Sequence, residues 1–105
     1  MANTKTKTPI KNFQLSLPKW VVEITTPQKV VCDFMLSVAL SKIQEYKARE
    51  EVFEKKYHLA FPKFEKKVLA AKEENFQHWD DLIDWEAAYL AHKLWQERYQ
   101  QLISK

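Results

Sequence analysis

Between Pro27 and Tyr57 nothing in the sequence stops a helix, and the first third of that stretch is apolar nearly all the way round. Val30, Val31, Cys32, Phe34, Met35, Leu36, Val38, Ala39 and Leu40 follow one another with almost no polar relief. Such a helix has to be covered on several sides. A chain of 105 residues folds as one domain with only a modest core. The surplus predicts that a second molecule completes the cover.

The start of this helix is marked. Thr26 can cap it, and Pro27 suits the first helical position, where a missing N–H does no harm. Leu36, Leu40, Ile43, Tyr46, Phe53 and Tyr57 continue one stripe at helical spacing. Glu45 with Arg49 and Glu51 with Lys55 are i,i+4 pairs on a solvated face. A helix over 27–57 is roughly 46 Å long, long for a domain this small. The chain breaks at His58–Phe61, and Pro62 opens a short helix over 62–73. Its apolar side is Phe61, Phe64, Val68 and Ala71, and Asn75 is its expected left-handed cap. A third helix spans 78–103. One of its stripes is Leu82, Trp85, Tyr89, Tyr99 and Ile103, with His92 on the same side as a core or boundary residue. The other is Trp79, Ile83, Leu90 and Leu94, with Trp95 beside it. So wide an apolar arc implies more than one neighbour. The expected fold is mainly α: an elongated antiparallel helical hairpin with a short intervening helix and an extended or β N-terminal segment.

Residues 1–12 are rich in Thr and Lys and read as a flexible basic tail, followed by a single helical domain over 13–105. Phe13, Leu15 and Leu17 alternate with polar residues, and after Pro18 so do Trp20, Val22 and Ile24, the period-two pattern of an extended segment over 13–25. A lone strand leaves its backbone groups unpaired. It must pair with a copy of itself, pair with a partner's sheet edge, or lie as a strap on the first helix.

Several classes of chemistry are excluded. With no glycine, the chain has no phosphate-cradling loop and no dinucleotide fingerprint. The one cysteine, Cys32, can form neither an internal disulfide nor a structural zinc site alone. Cys32 sits in an apolar run where a thiol is usually inert, so a nucleophile–base pair with His58 or His92 is not expected. His78, Asp80, Asp81 and Asp84 match no metal-ligand spacing and read as surface acids favoured near a helix N-terminus. No cofactor, metal or catalytic residue is expected. The net charge is +3, but Lys5, Lys7, Lys11 and Lys19 lie in a stretch without acids, and residues 23–105 carry −1. Basicity therefore belongs to the tail, and those four lysines are the candidate nucleic-acid contacts. No apolar run is long enough to span a bilayer and the N-terminus lacks a secretion signal's apolar core, so a cytoplasmic protein is expected.

The stretches DFMLSVALSKIQEYKAREEVFEKKYHLAFPKFEKK (33–67) and EENFQHWDDLIDWEAAYLAHKLW (73–95) resemble small helical prokaryotic proteins encoded beside a toxin, as the antitoxin half of a pair. The resemblance covers 58 of the 105 residues. Its motifs, the FEKKY–F–FEKK turn and the WDDLIDWEA helix start, are structural. It implies a toxin-like protein partner and a dimer, and carries over no catalytic residue. The expected function is a non-catalytic, self-associating interaction module of the toxin–antitoxin type. Its interface would be Trp20, Val22, Ile24, Val31, Phe34, Met35 and Val38, where tryptophan is a favoured anchor. The alternative is a small dimeric regulator that binds nucleic acid through the tail.

Overall fold

The computed structural model describes residues 16–104. They form four helices: α1 (Lys19–Ile24), α2 (Pro27–Tyr57), α3 (Phe61–Ala70) and α4 (Phe76–Ile103). None of the described residues is in a strand. The chain groups into two units, Met1–Val30 and Val31–Lys105; the expected boundary between residues 12 and 13 lies outside the described residues.

In the first unit the extended segment expected over 13–25 is replaced, from Lys19 onward, by the short helix α1; residues 13–15 lie outside the described residues. Val21 N–H donates to the Pro18 carbonyl at 3.0 Å and Thr25 N–H to that of Val21 at 3.1 Å. The reason is local. A single strand without a neighbour strands its backbone donors, whereas one helical turn satisfies some of them internally. The alternation of Trp20, Val22 and Ile24 therefore does not gather all three on one side: Trp20 and Ile24, four residues apart, share a face of α1, and Val22 lies on the opposite one. All three are exposed. At the start of α2, Lys29 N–H donates to Thr26 Oγ1 at 3.2 Å.

The second unit is held together at one end by aromatic side chains from three helices. Trp85 of α4 is fully buried. Its ring stacks on Phe53 of α2 at 5.4 Å and meets Phe64 and Phe61 of α3 at 5.1 and 5.7 Å. Val68 and Leu82 complete this buried cluster, with Tyr57, Leu59 and Tyr89 packed around it.

From this end α2 and α4 run in opposite senses. Tyr57 pairs with Asp81, Phe53 with Trp85 and Glu50 with His92. The less exposed residues of α2 include Leu36, Ala39, Ile43, Tyr46, Glu50, Phe53 and Tyr57. Those of α4 include His78, Asp81, Trp85, Ala88, His92, Trp95, Tyr99 and Leu102. Both sets alternate steps of three and four, the spacing of a coiled-coil seam. Leu40, expected in this seam, is exposed; Ala39 holds the inward position, with no exposed surface.

The ends of α3 and α4 differ from expectation. α3 covers Phe61–Ala70, and α4 starts at Phe76. Asn75 does not close α3. With extended backbone (φ −133°), its side-chain oxygen accepts from His78 N–H at 3.1 Å and caps α4. The left-handed residue is His58, at φ 57°, just past the end of α2. Its N–H donates to the Glu54 carbonyl at 2.8 Å, in the place a glycine usually takes.

Two stability measurements check this packing. Phe64→Ala should lower the free energy of urea unfolding by about 3–5 kcal/mol, a large part of the total for a domain of this size. His58→Gly should raise it by about 0.5–1 kcal/mol, because the left-handed backbone no longer carries a Cβ.

Candidate interaction surface

Polar contacts set the register of α2 against α4. Asp81, nearly buried, accepts from Lys56 Nζ at 2.7 Å, Tyr57 hydroxyl at 2.5 Å and Gln77 Nε2 at 3.0 Å. Burial alone would push its carboxyl up, but the hydrogen bonds from Lys56 and Tyr57 outweigh that and hold it below its ordinary value. Burial, then the hydrogen bond to Asp81, pushes the Tyr57 phenol up, which keeps it a donor. Asp81 is therefore not a surface acid. The first turn of α4 is Phe76–Trp79 and contains no acid, so the carboxylates of 80–84 lie too far along to serve the helix terminus.

Further along, Glu50 is buried and its Oε2 lies 2.6 Å from His92 Nδ1. Burial is the largest influence and raises the Glu50 carboxyl above its ordinary value, although His92 pulls it down. His92 thus sits at the edge of the seam with an acid for a partner.

This register accounts for the bare start of α2. His92 lies opposite Glu50, and α4 ends at Ile103. At 1.5 Å per residue, α4 extends about 16 Å beyond His92 and comes level with roughly Ala39. The preceding residues of α2 have no length of α4 to lie against. Val31 and Phe34 are 62% and 65% exposed, while Met35 and Val38, nearer the end of α4, are partly covered. Val31, Phe34 and Val38, at steps of three and four, share one strip of the helix, with Met35 beside it. These four interface candidates thus come together. Trp20, Val22 and Ile24 belong to the other unit, where Trp20 and Ile24 share one side of α1 and Val22 lies on the other. Of the candidate nucleic-acid contacts, Lys19 opens α1 and is exposed; Lys5, Lys7 and Lys11 lie outside the described residues.

Among the described residues Cys32 is not brought together with a histidine. Cys32 and Glu50 stand on the same helix, about 27 Å apart along its axis, so Cys32 is out of reach of His92; His58 is farther still. Two open depressions do place a histidine beside acids: His58 near Glu51 and Glu54, and His78 near Glu73 and Glu74. Among the described residues no group of three or more His, Cys, Asp or Glu could hold a metal ion. No helix of the described residues is long and apolar enough to cross a membrane.

Sequence reasoning missed two features of this surface. The polar seam contacts of Asp81 and Glu50 look like ordinary surface charges in the sequence. The exposed apolar residues also extend beyond the expected patch, to Val52, Leu69 and Phe76. Comparison with protein-family models, with curated proteins and with solved structures finds no match to this chain.

The pH dependence follows from the two buried carboxylates. Asp81 contributes stability that is present above its unfolded value of 3.8 and is lost as pH falls through its lower folded value. Glu50 acts in the opposite sense. Its contribution is present below 4.5 and is lost as pH rises through its raised folded value. Asp81→Asn should cost about 1–3 kcal/mol at neutral pH through lost charge-assisted hydrogen bonds. It should also flatten the acid limb of the melting-temperature profile below pH 3.8, read by circular dichroism.

Proposed function

We propose that this chain is a non-catalytic protein–protein interaction module, an antiparallel helical hairpin that binds a partner protein through the projecting start of α2. One observation carries the reading: Val31 and Phe34 stand largely in water on a helix that runs past the end of its own neighbour. Leaving such side chains exposed forgoes about 1.5–3 kcal/mol each that burial would provide. Aromatic and aliphatic anchors clustered on one face are what a hot spot is made of. Met35 and Val38 extend the same face.

The resemblance of 33–67 and 73–95 to antitoxin-like proteins makes a toxin-like protein encoded beside this one the first partner to test. A partner with an apolar groove and few charges at its centre would fit, since the strip from Val31 to Val38 contains one acid, Asp33, and no base.

Co-expression with the neighbouring gene product, followed by size exclusion, tests this directly. A stable complex is expected, and Val31→Glu with Phe34→Glu should weaken it by on the order of a hundredfold or more while leaving the helical spectrum and melting temperature unchanged. A complex indifferent to that double substitution would remove the start of α2 as the binding face.

A further inference from the structure

The long helix α4 has a second apolar side that stays partly exposed. Trp79, Ile83, Leu90 and Leu94 are 38%, 61%, 55% and 42% exposed. At 100° per residue they form a ridge on the side of α4 opposite the seam of Asp81, Trp85, Ala88 and His92. α2 and α3 both reach the seam side of α4 through Trp85; α3 also borders one end of the ridge, where Trp79 shares an open depression with Lys67 and Val68.

We propose that this ridge is a self-association surface, on which α4 of a second copy lies antiparallel about a two-fold axis. The spacing of the four residues is the first argument. It is symmetric about the midpoint between Glu86 and Ala87. An antiparallel copy centred there sets Trp79 against Leu94 of the second copy and Ile83 against Leu90 of the second copy, and the axis repeats both contacts. An interface that is its own complement is the requirement for a closed two-fold dimer. At the axis the exposed Glu86 of one copy faces the small, exposed Ala87 of the other, which leaves its side chain room.

Charge supplies the second argument. The first half of α4 exposes Asp80, Asp84 and Glu86 and contains no lysine or arginine. The second half exposes Lys93 and Arg98, with Glu97 its one acid. Antiparallel pairing lays acidic half over basic half, and the helix dipoles also oppose. Parallel pairing lays acids on acids, which costs affinity. The ridge from Trp79 to Leu94 is only about 23 Å long. One helix face of that length falls among weak, transient interfaces, below about 1,200 Å² in total. The dimer therefore exchanges with monomer, and does so independently of whatever binds the start of α2.

Sedimentation equilibrium of the full chain over a concentration series tests this. The wild-type mass should rise from 12.6 kDa toward twice that value. Ile83→Glu should weaken association by on the order of a hundredfold with the helical spectrum intact. Adding Leu90→Lys to the same chain should restore the dimer, because only the antiparallel register places position 83 of one chain against position 90 of the other. The Val31→Glu, Phe34→Glu protein should dimerise like wild type, so failure of this proposal is distinguishable from failure of the partner-binding reading. A wild-type mass that stays monomeric up to about 1 mM, the weak end of specific binding, overturns the proposal and leaves the ridge to a different protein. A dimer unaffected by Ile83→Glu also overturns it, and a double variant that stays dissociated overturns the antiparallel register.

Discussion

The second unit depends on one lateral registration, that of α2 against α4. Two interactions at one end set it: the ring cluster around Trp85 and the three donors that converge on Asp81. They differ in kind. The rings supply most of the burial but tolerate sliding, because stacked faces have broad minima. The hydrogen bonds contribute less in net energy, yet they are directional, and a nearly buried carboxylate cannot be left without them. Apolar packing holds the helices together; Asp81 decides where along each other they stop.

That stopping point has a consequence at the far end. α2 outlasts α4 by a few turns, and the overhang contains the greasiest part of the chain. In a larger protein another helix would close over it. Within the second unit α3 is committed to the opposite end through Phe61, Phe64 and Val68. The exposed side of α4 has the same origin. One antiparallel neighbour covers one face of a helix, and α4 is apolar on two. The buried core is accordingly small, and the indole N–H of Trp85 lies inside it without a hydrogen-bond partner. An unmet donor of this kind has a cost, borne here by a side chain that reaches Phe53 of α2 and Phe61 and Phe64 of α3 from α4. His92 against Glu50 adds a polar step to the seam, and such steps can favour one register over its neighbours.

Much of this was readable from residue order. The span of α2 follows from Thr26 and Pro27 at its head and from the absence of breakers up to Tyr57. The break before Pro62 and the paired stripes of the last helix are periodic features, and periodicity belongs to the single chain. The stripe of Trp79, Ile83, Leu90 and Leu94 could be separated from that of Leu82 and Trp85 by spacing alone. Which stripe faces inward could not, because both are equally apolar. The choice between Leu40 and Ala39 failed for the same reason: hydrophobicity favours leucine, but the seam had room for alanine.

What the sequence determined by itself is therefore local and one-dimensional: helical content, most helix limits, and an excess of apolar surface over what so short a chain can bury. What only the tertiary structure decided is the relation between helices. It made Lys19–Ile24 a helical turn, since no neighbouring strand exists among the described residues to satisfy an extended one. It turned Asp81 from an apparent surface acid into the anchor of the register, because three donors from two helices meet there. It also showed which apolar residues remain uncovered. The physical reason is common to all three. Backbone propensity is a property of adjacent residues, whereas burial and hydrogen-bond satisfaction depend on segments that meet only once the chain has folded back on itself.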